Sequence, residues 1–156
     1  MEWRKRWLCP SDSHARTFKQ VVENIKEYED FSVYVGCDSH TAKGYEDKYL
    51  FAIAICVLSS QGNTYFYSRG VHSKKFNSLQ ERLTEEVALS ADVATNLMKH
   101  FPKKKITLHA DSNTDSKHRS SKFTELFRNW ALGIGCDFAS KPDAWASSSI
   151  ADKHSK

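Results

Sequence analysis

A chain of 156 residues, 40% hydrophobic and 27% charged, is long enough for one domain with a real core and short for two. No apolar run approaches the length of a membrane span. The formal net charge of +4 suits a polyanionic partner without deciding for one.

The basic start Met1-Glu2-Trp3-Arg4-Lys5-Arg6-Trp7 has no apolar signal core behind it, so a cytoplasmic protein is expected. Cys9, Cys37, Cys56 and Cys136 are scattered without a CxxC pair, which argues against a zinc site or a disulfide framework. No repeat or interdomain linker is visible. Residues 1–30 read as an arm and a helix packed on the core, and 31–156 as the domain proper, one domain in all.

In chain order, residues 1–10 read as an irregular arm. Ser11 or Ser13 could cap a helix to about Asp30, with Phe18, Val21, Val22 and Ile25 at helical spacing. A first strand covers about Phe31–Asp38 and a polar loop His40–Lys48. The long apolar run Tyr49–Ser60 suits a strand covered on both faces. After the turn Gln61-Gly62-Asn63, Thr64–Arg69 alternates as a partner strand. Gly70–Asn77 reads as a basic loop.

Ser78, with Glu81 three residues on, starts a long helix ending at about His100, before Pro102. A strand Ile106–Asp111 follows, then a polar stretch to Ser121. The next helix, about Lys122–Leu132, carries Phe123, Leu126, Phe127 and Trp130 on one face, and Gly133 and Gly135 end it. Cys136–Ala139 is a short strand, Lys141-Pro142 a break, and Ser147–Lys156 a terminal helix. The third strand, long helix and fourth strand form a right-handed crossover, giving parallel strands in an α/β sheet.

The candidate chemistry starts at Val33-Tyr34-Val35-Gly36-Cys37-Asp38-Ser39-His40. An apolar strand ends on a carboxylate, and Gly36 leaves room beside it. Such an Asp can also simply cap a turn. A second segment of the same design, Ile106–Asp111, ends on Asp111. If the two strands are neighbours, both carboxylates stand at a switch point of the sheet, where ligands bind, and they repel unless a cation lies between them. At 100° per residue, Leu79, Leu83, Glu86, Ser90, Ala94 and Leu97 fall within an arc of roughly 80°. Glu86 thus shares the apolar face, or lies at its edge and snorkels, while Glu81 and Glu85 point toward solvent.

These stretches resemble the ribonuclease H-like superfamily, and more closely its YkuK-like branch. The resemblance is carried by Val33–Ser39 (VYVGCDS), Arg82–Ser90 (RLTEEVALS), Leu108–Asn113 (LHADSN) and Lys141–Lys153 (KPDAWASSSIADK). It covers about residues 31–156. The family pattern usually has a small or hydroxyl residue before the first Asp and a Gln two after it; here these are Cys37 and His40. The resemblance implies a five-stranded mixed sheet flanked by helices, in the order β-β-β-α-β-α-β-α with an added N-terminal helix. It implies that Asp38, Glu86, Asp111 and Asp152 hold two Mg²⁺ or Mn²⁺ ions and catalyse hydrolysis of phosphodiester bonds of RNA, DNA or a hybrid. Read from spacing alone, Asp152 competes with Asp143 and Asp115.

Lys74, Lys75, Lys117, Arg119 and Lys122 could contact phosphates, with His118 among them, whereas Lys103–Lys105 reads as solvated surface. Trp3, Trp7 and Trp145 could stack on bases but more often pack on the fold. His40 and His154 lie near the carboxylates in sequence and could shuttle protons. No membrane and no nucleotide cofactor is expected. A non-catalytic nucleic-acid-binding or protein-interaction module of the same shape is the alternative.

Overall fold

The computed structural model describes residues 1–113 and 121–156. Five strands, β1 (Phe31–Thr41), β2 (Tyr49–Ser59), β3 (Thr64–Val71), β4 (Ile106–Asn113) and β5 (Asp137–Lys141), form one mixed sheet in the order β3-β2-β1-β4-β5. β2 runs antiparallel to both β1 and β3; β4 runs parallel to β1 and to β5. The helices are α1 (Phe18–Ile25), α2 (Leu79–His100), α3 (Ser121–Gly133) and α4 (Asp152–His154), the last continuing a π-helical stretch, Ala146–Ala151. This is the α/β architecture expected, with β4 beside β1.

The two faces of the sheet differ in side-chain size. Along β2, Phe51, Ile53, Ile55 and Val57 join Val33, Val35 and Cys37 of β1 in the large core, which α1, α2 and α3 cover. The alternate residues Ala52, Ala54 and Cys56 face Ala146 and Ala151. Small residues let the π-helical backbone lie directly on the sheet. Gly36 shows how close it comes: a Cβ there would stand 2.5 Å from the backbone nitrogen of Ser147.

The N-terminal segment departs from the expectation of an irregular arm. Glu2–Lys5 forms a 3₁₀ turn, the main chain of Trp7 bridges Arg16, and Leu8 bridges Tyr67 of β3. Trp7 is buried in the core beside Phe18, and the Trp3 ring covers Gly70. Trp7 is sealed in the core and is not free to stack on a base, while Trp3 is half-buried against β3. α1 also starts later and ends sooner than expected. Its cap is Thr17, in a capping box with Gln20. Ser11 lies in the turn before it, held by contact with Cys9.

α2 begins as expected at Ser78, whose hydroxyl accepts from Glu81 N at 3.1 Å; the Glu81 carboxylate reaches Asn77 N rather than the cap itself. In α3 the buried face is Phe123, Thr124, Phe127 and Ala131, and Leu126 is exposed, because the helix turns its apolar stripe one position away from it.

Gly36→Ala is expected to destabilise the protein by about 2 kcal/mol or more, since the new methyl meets backbone rather than a flexible side chain. Urea denaturation checks this; an unchanged midpoint would mean that the π-helical stretch does not rest on β1.

Candidate metal centre

β1 continues past Asp38 to Thr41, three residues beyond the expected end, but only toward β2. Its pairing with β4 stops at Gly36 and His109. The same register carried two residues on sets Asp38 level with Asp111, side by side just past the last paired position. The β4–β5 register shifts between His109 and Asn113, the stretch that carries Asp111.

Glu86 comes from the opposite layer. Leu83, Glu86, Val87 and Ser90 share the buried face of α2, and Glu86 is 4% exposed. Ser39 Oγ donates to its Oε2 at 2.5 Å, while Oε1 is buried without a hydrogen-bond partner. Oxygens of Asp38, Glu86 and Asp111 lie within 4.8 Å of one another. A second group of the same tightness joins Asp38 to His40 and Asp152, so Asp38 is common to both.

Asp152 reaches the site from α4, and the geometry of that arrival is built upstream. His109, buried on β4 and held neutral by burial with its pKa pulled down to about 4, accepts the Ala146 backbone N–H at 3.0 Å. Tyr34 and Trp145 pack on its ring. Ser147 and Ser148 both donate to the Ala144 carbonyl. Asp143, the competitor of Asp152, belongs to neither carboxylate group. Asp115 lies outside the described residues.

The charges are unbalanced. Burial, then Glu86, then Asp111 push the Asp38 pKa far above the ordinary carboxylate range. Burial likewise raises Glu86, with the Ser39 hydroxyl opposing and Asp111 adding to the rise. Asp152 goes the other way: burial alone would raise it, but bonds from Lys156, then Asp38 and His40, outweigh that and lower it. Lys141 supplies compensating charge, its ammonium 2.7 Å from Asp111. Its desolvation lowers its pKa, and Asp111 with Asp38 and Glu86 more than reverses this.

Hard carboxylate oxygens, one of them on Glu86 buried and unpartnered, fit a divalent cation such as Mg²⁺ or Mn²⁺. Asp38, Glu86 and Asp111 are placed to share such an ion, and Asp152 joins Asp38 in the second group.

Other residues read from the sequence fall elsewhere. His154 does not face the carboxylates. Its ring stacks on Tyr67 at 3.6 Å and its Nε2 bonds Tyr65 Oη at 3.0 Å, because the last helical turn directs it toward β3. His40 Nε2, by contrast, lies 3.0 Å from Asp38 and 2.9 Å from Asp152. Lys74 and Lys75 are exposed in the loop after β3, Lys74 over the Phe76 ring. Lys122 stands over the Phe123 ring at the start of α3. Lys117, His118 and Arg119 lie outside the described residues.

Three further residues bear on the surroundings of the site. Arg82, one turn before Glu86, donates to the Ser39 carbonyl at 3.0 Å and lies over the Tyr49 ring; its place at i−4 of Glu86 was the available signal. Lys141 was read only as a break before Pro142. Glu85, expected to point toward solvent, is partly exposed, and its Oε2 lies 2.5 Å from Nε2 of the buried His72.

A family model described as ribonuclease H-like matches residues 16–156. No curated protein and no solved structure matches.

In metal-free buffer the raised carboxylates bind protons in the folded chain that the unfolded chain has released. Their stabilising contribution is therefore full below the ordinary carboxylate pKa and is lost as pH rises through the raised values. Thermal melts should show stability falling from acid toward neutral pH, and Asp38→Asn should flatten that slope and gain more than about 1 kcal/mol at neutral pH. Saturating Mn²⁺ should restore the wild type by about 2.7 kcal/mol at a hundredfold excess over Kd and leave Asp38→Asn unmoved. A wild type indifferent to both pH and Mn²⁺ would contradict the charge assignment.

Proposed function

The chain belongs to the ribonuclease H-like family, and from that premise we propose that it is a divalent-metal-dependent nuclease. In this reading it hydrolyses phosphodiester bonds of RNA or DNA, with Mg²⁺ or Mn²⁺ as cofactor in a two-ion site. The observation that carries the proposal is the convergence of Asp38, Glu86 and Asp111 within 4.8 Å, with a buried Glu86 oxygen left unpartnered. Buried like charges at that spacing are costly without a cation, and they stand where a sheet of this topology binds ligands.

Asp38, Glu86, Asp111 and Asp152 would hold the ions, Asp38 being common to both groups of donors. Bound divalent cations would lower the pKa of an attacking water and offset charge on the phosphodiester oxygens. The chain's own residues then have separable tasks. Ser39 holds one Glu86 oxygen and so aims the other inward. Arg82 fixes the Ser39 main chain, and thereby the donor on which Glu86 depends. Lys141 neutralises Asp111 and can turn its ammonium to a phosphate oxygen when a cation takes over that carboxylate. Lys74, Lys75 and Lys122, with Lys117 and Arg119, would contact the phosphate backbone without reading sequence.

The Lys141–Asp111 pair also supports the second reading, a non-catalytic nucleic-acid-binding or protein-interaction module, because an internal ammonium can balance part of the cluster without a metal. Cleavage decides between them. On a panel of labelled single strands, duplexes, hybrids and branched substrates with Mn²⁺, Glu86→Gln should lower the rate at least a hundredfold, roughly 3 kcal/mol, while the chain stays folded. Glu85→Gln should retain cleavage and instead lose about 1–3 kcal/mol of stability, through its bond to buried His72. No cleavage of any substrate by the wild type, with Mn²⁺ bound, would favour the non-catalytic module. Equal activity losses at Glu85 and Glu86 would remove Glu86 from the ligand set.

A further inference from the structure

The two groups that meet at Asp38 differ in donor chemistry. Asp38, Glu86 and Asp111 offer oxygen alone; Asp38, His40 and Asp152 offer two oxygens and an imidazole nitrogen. His40 follows Asp38 by two residues on β1, so both side chains leave the same face of the strand. Asp152 meets them from α4.

We propose that His40 is a metal ligand, and that it makes the Asp38–His40–Asp152 half of the site take a first-row transition ion such as Mn²⁺ or Co²⁺ in preference to Mg²⁺. This rests on the metal-centre reading above and adds to it that the two halves select different ions.

A single nitrogen, His40 Nε2, faces both carboxylates: it lies 3.0 Å from Asp38 Oδ2 and 2.9 Å from Asp152 Oδ1. An imidazole nitrogen carries at most one hydrogen, so it satisfies two acceptors only by sharing it. An ion set among the three would instead engage each atom through its own lone pair. The remaining partners leave room for this. Lys156 Nζ bonds the other Asp152 oxygen, Oδ2, at 2.9 Å, and Ser155 Oγ reaches Asp38 Oδ2 only at 3.4 Å. The His40 side chain is 37% exposed and that of Asp38 4%, so the half-site opens to solvent on the histidine side and gives an ion a path in.

The donor set decides which ion. Mg²⁺ favours oxygen ligands and gives up its water reluctantly. Nitrogen donors raise affinity progressively along the first-row divalent series, where Mn²⁺ accepts mixed oxygen and nitrogen sets and Co²⁺ binds imidazole better still. The all-oxygen half keeps no such preference. Chemically, the site would then pair a hard ion held by Glu86 with a softer one held by His40.

The test uses the full chain loaded with Mn²⁺ and read by pulsed electron paramagnetic resonance, with Mg²⁺ as competitor. The expected result is nitrogen hyperfine coupling to bound Mn²⁺ in the wild type, absent in His40→Gln. In calorimetry, His40→Gln should weaken one class of Mn²⁺ and Co²⁺ binding by about tenfold or more and leave Mg²⁺ binding unchanged. In the wild type, added Mg²⁺ should displace the Mn²⁺ without nitrogen coupling first. Bound Mn²⁺ without nitrogen coupling overturns the His40 assignment and leaves the carboxylate site intact. Equal weakening of Mg²⁺ and Mn²⁺ by His40→Gln overturns the selectivity. Failure of the wild type to bind any of the three ions overturns both the proposal and the metal-centre reading on which it rests.

Discussion

Mutual repulsion among Asp38, Glu86 and Asp111 is the constraint around which the molecule is built. Asp38 and Glu86 are 3% and 4% exposed, so water does little to screen them. A fold that spent burial on these groups for stability alone would be better served by apolar residues of the same size. The surrounding architecture instead works to hold them together. Parallel pairing of β1 with β4 brings two carboxylates to the same end of the sheet, and α2, docked by Leu83, Val87 and Ala94, brings the third.

The second face of the sheet serves Asp152. Gly36, Ala52 and Ala54 keep that face low, and the π-helical stretch lies against it with Ala146 and Ala151. π-helical turns are uncommon and tend to occur at functional positions, where the wider turn re-aims the side chains that follow. Here the residue that follows is Asp152. The neutral ring of His109 anchors the start of the stretch that leads to Asp152.

Much of this was legible in the chain itself, for physical reasons. Strand patterning is local: the β2 run alternates large Phe51, Ile53 and Ile55 with small Ala52 and Ala54, and each set lies against the layer its size suits. Helical phase is also local, and it separated Glu86 from Glu85 correctly as to burial. What phase cannot supply is the partner on another element. His72, on the segment after β3, pairs with Glu85, and Lys141, the last residue of β5, reaches Asp111 across the register shift. The N-terminal segment carries no periodicity, because its order comes from single indoles seated in the core rather than from a repeating face. His154 illustrates the converse: proximity to Asp152 in sequence placed it near the site, and the two-residue step, about 200° around a helix, sent it to Tyr65 and Tyr67.

Anomalous diffraction from crystals grown with Mn²⁺ tests the metal centre most directly, because it locates ions independently of any substrate. The expected result is a manganese peak bonded to Asp38 and Asp111, at about 2.0–2.2 Å from carboxylate oxygen, with Glu86 Oε1 turned to the ions and Lys141 displaced from Asp111. Crystals saturated with Mn²⁺ that show no peak there, with Lys141 still seated on Asp111, would contradict a metal centre at these carboxylates.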